Sequence, residues 1–197
     1  GERNQRLFDH LNQRTLVNLR KSKLDTFFFT QKQQQGRSFG ERITHALSHV
    51  FERGYQNVII VGNDCPDLSL ADVQKAKTKL RNNHLVLGPD HRGGAYLIGI
   101  SRVLFNPNIF EKLPWQTTET LQALLGLVGK GESIVLSQKQ DLNHAKDAEV
   151  LAEISTDFRF ILSLLISIKK NFIVHPELDF TSVSTICLPL RAPPQAA

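Results

Sequence analysis

Apolar positions recur along this chain with two spacings. Leu7, Phe8, Leu11, Leu16 and Leu19 keep the period of one helix face, so the chain opens on an amphipathic helix. Ile43, Ala46, Leu47, Val50 and Phe51 repeat the pattern, as do Val73, Ala76 and Leu80, and then Leu121, Leu124, Leu125 and Val128. Compact apolar runs at residues 25–30, 58–61, 84–87, 96–100 and 133–137 read as strands. The run Val58-Ile59-Ile60-Val61 is entirely β-branched, the look of a strand buried on both faces in a parallel sheet.

Start and stop signals frame these segments. Ser38 and Glu41 form a capping-box pattern ahead of the second helix, and Gly54 ends it. Ser69 and Asp72 mark the third helix, and Thr117 or Thr118 can cap the fourth. Residues 31–37 form a polar loop, and residues 145–154 begin a helix that can continue into the apolar stretch 158–168. Strands alternating with helices predict an α/β protein: three layers, α/β/α, around a mostly parallel sheet. Residues 1–188 then form a single domain, and residues 189–197, with prolines at 189, 193 and 194, a loose tail.

Composition narrows the reading. With 197 residues and 41% hydrophobic content, the chain can build one domain with a real core. The net charge of +5 is concentrated near the start, in residues such as Arg3, Arg6, Arg14, Arg20, Lys21, Lys23, Lys32 and Arg37, and could attract nucleotide phosphates. There is no aromatic-basic interleaving and no nucleic-acid motif, so nucleic acid is not an expected partner. Cys65 and Cys187 form neither a Cys-x-x-Cys pair nor a zinc pattern, and a reducing cytoplasm is the natural compartment. Residues 158–168 are too few to span a bilayer, which takes roughly 20, so no membrane span is expected. That stretch could instead face a second copy in a homo-oligomer. Gly1 is no natural start and the chain holds no methionine, so its natural beginning is expected to be missing.

Four segments at predicted strand ends carry candidate chemistry. In Asn63-Asp64-Cys65-Pro66-Asp67, an acid stands where an open α/β sheet binds ligands, beyond the carboxyl end of a strand. Asp64 there can hold a divalent cation or a sugar hydroxyl; alternatively Asp64 and Asp67 are turn residues. In Arg92-Gly93-Gly94, paired glycines let a ligand approach the main chain, and the guanidinium can pair with phosphate; the other reading is a hairpin-like turn. Trp115, in a loop beside Pro114, can stack on a sugar or base or else plug the core. In Asp141-Leu142-Asn143-His144, each polar side chain can serve as ligand, base or helix cap.

In this order the segments resemble a bacterial family of glycosyltransferase-like proteins with the nucleotide-diphospho-sugar transferase fold. More distantly they are similar to the molybdenum-cofactor and phospholactate guanylyltransferases. Gly62-Asn63-Asp64-Cys65-Pro66-Asp67-Leu68 resembles the family's Gly-Ser-Asp-x-Pro-x-Leu. Phe39-Gly40-Glu41-Arg42, Val86-Leu87-Gly88-Pro89, Gly93-Gly94, Tyr96-Leu97-Ile98-Gly99 and Pro114-Trp115-Gln116-Thr117 resemble further blocks, all within residues 4–152.

The resemblance implies a transferase that takes a nucleotide-activated sugar and passes the sugar to an acceptor. Asp64 would be the main metal or ribose contact and Asp141 a second acid. Asn63, Asp67, Arg92, Gly93 and Gly94 would line the donor site, and Trp115 and Thr117 the acceptor side. Mg²⁺ or Mn²⁺ is the implied cofactor. Against the family pattern, Arg92 and Asn143 stand where acids are expected, and the chain is expected to start after the family's opening strand and nucleotide-binding loop. An acid exchanged for arginine changes local charge by about two units and repels a cation. Two other readings stand beside sugar transfer: a nucleotidyltransferase acting on a phosphorylated small molecule, and, motivated by these departures, a non-catalytic paralogue serving as a binding module.

Overall fold

The computed structural model describes residues 15–29, 33–62, 65–129 and 132–139, and the backbone of residues 185–190. Helix α1 covers residues 15–22. It is followed by β1 (Phe27–Phe29), α2 (Phe39–Phe51), β2 (Asn57–Val61), α3 (Leu70–Leu80), β3 (Leu85–Pro89), β4 (Ala95–Ser101), α4 (Pro107–Phe110), α5 (Thr120–Leu125), β5 (Ser133–Val135) and β6 (Thr185–Leu190).

The expected helix starts at Ser38 and Ser69 are both present as complete capping boxes. In each, the serine hydroxyl accepts from the backbone of the third residue on, and the acid there accepts from the serine backbone. The fourth helix departs from expectation. Its N-cap is Glu119, with no side-chain cap bond. The Thr117 hydroxyl is occupied in the turn before it, donating to the Pro114 carbonyl (2.7 Å) and accepting from Glu119 N–H (3.2 Å). A short helix, α4, was not foreseen, although Asn106 as cap with Pro107 in the first turn is a recognisable start.

Among the described residues six strands form one sheet, in the order β1-β6-β2-β4-β3-β5. The expectation of a mostly parallel sheet is overturned. Of the five described neighbouring pairs, β3–β5 is parallel and the other four are antiparallel. The cause is connection length: residues 90–94 return the chain from β3 into β4, far short of the dozen or so residues a parallel crossover needs. β6 also runs antiparallel to both its neighbours, and it extends through Pro189 and Leu190, two residues into the segment expected to be a loose tail. The pairings still leave β1, β2, β3 and β5 pointing the same way, with β4 and β6 inverted between them.

Alternation along the strands divides the core. Val58, Ile60, Leu85, Leu87, Ile98 and Ile100 pack with Ile43, Ala46, Leu47 and Val50 of α2. Ile59, Val61, Val86 and Leu97 pack with Leu19 of α1 and Val73, Ala76 and Leu80 of α3. Val58 through Val61 are at most 5% exposed, so both faces of β2 are covered, as its unbroken apolar run implied. Each such side chain contributes about 1.5–3 kcal/mol on burial. This packing aligns the ends of β2, β3 and β5 on one edge of the sheet.

Candidate functional site at the carboxyl edge of the sheet

β2 delivers the first segment. Beyond Val61, Gly62 N–H donates to the Tyr96 carbonyl (3.2 Å), which keeps the chain in register with β4 for one more residue. Cys65 and Pro66 are buried, Asp67 is half-buried, and Leu68 N–H donates to the Cys65 carbonyl (3.2 Å) to close a turn into α3. Asn63 and Asp64, the leading candidates, lie outside the described residues, as do Asp141, Asn143 and His144.

β3 delivers the second segment, which begins with an acid, Asp90. Asp90 is 9% exposed. Its Oδ1 accepts from the backbone N–H of Arg92 (2.6 Å) and of Gly94 (2.8 Å), so the carboxylate fills its own turn. The two glycines fit around it. A Cβ on Gly94 would overlap the Asp90 carboxylate, and one on Gly93 would overlap the Thr118 carbonyl. Gly93 also has φ +86°, a conformation that disfavours any other residue. Leu121 N–H donates to the Gly93 carbonyl (2.8 Å), which fixes the turn to the chain entering α5. Arg92 is exposed at its tip.

Trp115 reaches the core rather than standing clear of it. Its indole N–H donates to the Phe110 carbonyl (2.8 Å), and its ring meets Phe110 edge-on at 4.9 Å and Phe39 at 5.6 Å. Thr117 is exposed beside it. Gln116 between them has φ +60°.

The segment leaving β5 draws these parts together. Leu136 N–H donates to the Leu87 carbonyl (2.7 Å) and Lys139 N–H to the Pro89 carbonyl (3.0 Å), so this strand end follows β3 outward. Gln138 Nε2 donates to the Asp90 carbonyl (2.8 Å), and the Tyr96 hydroxyl to the Ser137 carbonyl (3.1 Å). Lys139 then stretches over the Tyr96 ring, 5.9 Å from its centroid. Its Nζ donates to the Asp67 carbonyl at 2.7 Å and pairs with Asp72 Oδ2 at 3.0 Å. Asp72 Oδ2 also accepts from Ser69 N–H (2.9 Å) and the Ser69 hydroxyl (2.6 Å). Burial alone would raise the Asp72 carboxyl; the bonds from Ser69, then the Lys139 ammonium, outweigh it and hold the group below its ordinary range. Lys139 was not foreseen, since a lone lysine after a strand carries no motif.

The implied Mg²⁺ or Mn²⁺ can be tested against these groups. Among the described residues no group of three or more His, Cys, Asp or Glu could hold a metal ion. Asp90 offers an oxygen already bonded to two backbone N–H groups, and Asp72 one bonded to Ser69 and Lys139. The described acids do not fit a divalent cation.

The chain's mixed α/β sheet, with its like-directed strands ending on one edge, has a known counterpart. A crystal structure of a candidate nucleotide-diphospho-sugar transferase from Desulfovibrio desulfuricans G20 is similar over 72% of this chain, at 27% identity and a TM-score of 0.61. The chain spans 65% of that protein's length. No curated protein matches it. The chain belongs to the family described as "Uncharacterized protein conserved in bacteria (DUF2064)", whose pattern matches residues 11–117. No helix among the described residues is long and apolar enough to cross a membrane.

Proposed function

We propose that this protein binds a nucleotide-activated sugar at the carboxyl edge of its three-layer domain, in the cytoplasm, and transfers the sugar to an acceptor. The observation that carries this reading is that the ends of β2, β3 and β5 lie on one edge of the sheet, joined through Lys139, in a fold similar to a candidate nucleotide-diphospho-sugar transferase. In the reaction, the bond between the anomeric carbon and the phosphate oxygen breaks as an acceptor oxygen bonds to that carbon. Nucleoside diphosphate leaves, and the acceptor's proton passes to a base. By the family resemblance, Asp64 contacts the donor and Asp141 is the second acid, with Asn63, Asp67 and Arg92 on the donor side. Trp115 supports the acceptor side from within the core, holding the exposed Gln116 and Thr117 beside the glycine turn.

Calorimetric titration of the full chain with UDP-, GDP- and dTDP-sugars tests the reading; heat from none of them would sink it. Product analysis then separates the chemistries. Free nucleoside diphosphate marks sugar transfer, and pyrophosphate released from a nucleoside triphosphate marks nucleotidyl transfer, the alternative reading. Arg92 and Asn143, standing where the resemblance implies acids, support a further reading, a binding module without catalysis. That reading predicts a saturable binding isotherm and no product of either kind.

A further inference from the structure

We propose that the Lys139 ammonium is the resident cation of this edge, standing between the Asp72 carboxylate and the Asp67 carbonyl where a divalent ion would otherwise sit, so that the donor's diphosphate binds without a metal. Mg²⁺ and Ca²⁺ are held by carboxylate and carbonyl oxygens. One oxygen of each kind converges here, and Nζ lies 2.7 Å from the carbonyl and 3.0 Å from the carboxylate. The lysine is built in at both ends. Its backbone is fixed by the bond to Pro89 and the bridge to Asp90, and its head lies over the Tyr96 ring with the side chain 17% exposed. These two oxygens take two of the ammonium's three N–H donors, and a phosphate oxygen is the acceptor that suits the third. Arg92, on the neighbouring turn, adds a second positive charge to the edge that faces the donor.

The ligand in this proposal rests on the nucleotide-sugar reading, but the cation position does not, so two measurements separate them. The first titrates UDP-glucose, GDP-mannose and dTDP-glucose by calorimetry, in EDTA and in Mn²⁺. Whichever sugar binds should bind wild-type protein with the same affinity in both buffers, within about twofold. Lys139→Met should weaken it by about tenfold in EDTA, the scale of one charge-assisted hydrogen bond, and recover in Mn²⁺. Lys139→Arg should stay close to wild type in EDTA, which decides the matter even if the methionine variant does not fold. The second counts bound Mn²⁺ by electron paramagnetic resonance without nucleotide, where Lys139→Met should hold one ion more than wild type. Donor binding that needs Mn²⁺ in the wild type overturns the proposal, as does a folded Lys139→Met with no extra ion. Failure of all three sugars to bind removes the nucleotide-sugar reading, while the ion count still decides the cation position.

Discussion

Helices α2 and α3 open with the same device and put it to different use. At α2, the Ser38 hydroxyl accepts from Glu41 N–H (3.1 Å), and Glu41 Oε2 accepts from the backbone N–H groups of Ser38 (3.3 Å) and Arg37. Every partner is within four residues, and the box is exposed. At α3, Ser69 and Asp72 make the same exchange, but Asp72 also receives Lys139, which reaches the Asp67 carbonyl 72 residues back along the chain. A capping acid satisfies local N–H donors wherever it stands. At the edge of a sheet its remaining lone pairs can hold a second segment, and a local motif becomes part of a long-range site. What decides between the two is what the fold brings alongside.

The largest expected effect breaks α3's box at its shared acid. Asp72→Ala removes a cap and leaves the Lys139 ammonium facing only a carbonyl, and should cost about 3 kcal/mol in urea unfolding. Glu41→Ala, losing only local bonds at an exposed site, should shift the midpoint far less. Equal losses would mean that Lys139 adds nothing. Next comes the counterpart at α2, which is closed by its own chain. Gly36 has φ +131°, and a Cβ there would overlap the Glu41 Cβ. Gly36→Ala should cost about 2 kcal/mol and leave nucleotide binding unchanged, because the strain stays local.

The two boxes also mark how far sequence reasoning reached. Ser38 with Glu41 and Ser69 with Asp72 are legible because capping is a short-range pattern, and both helix starts were found. The covered faces of β2 were legible too, since an unbroken β-branched run has nowhere else to go. Strand direction was not written in those runs. The short 90–94 connection did encode it for β4, but the apolar runs on either side were read for burial rather than for the length of the link. Lys139 was illegible for a stronger reason: its role depends on β5 following β3 outward, which no local pattern states. At the Gly93-Gly94 turn the glycines were read as space for a ligand; a Cβ at Gly94 would also meet the Asp90 carboxylate and one at Gly93 the Thr118 carbonyl, contacts that no local pattern states. Asp64 and Asp141, the acids on which the first reading leaned most, lie outside the described residues.

Lys139→Met sharpens the contrast with a smaller change. The cap at Asp72 survives, and the lost ammonium bonds should cost about 1.5 kcal/mol. A double-mutant cycle with Asp72→Asn should return a coupling of about 1 kcal/mol, while a cycle between Lys139 and Glu41 should return none. Coupling to Glu41 would deny that the α2 box is local.

The smallest effect appears on acid titration, in three groups held below their ordinary values. His49 is depressed by burial, then by Arg53 and His45. The unfolded chain therefore takes up that proton first, and stability begins to fall as pH drops through about 6.5. Glu41 is depressed by the backbone N–H groups of Arg37 and Ser38. Asp72 is depressed by Ser69 and Lys139 against its own burial. Each carboxylate contributes stability that is present above about pH 4 and is lost as pH falls through its depressed folded value. Lys139→Met removes one source of the lowering at Asp72 and none at Glu41. Carboxyl carbon titration by NMR should therefore show the Asp72 midpoint moving up in the variant while the Glu41 midpoint stays in place. If the two midpoints moved together, the boxes would share a field, and Lys139 would act on the whole edge rather than through the one oxygen it touches.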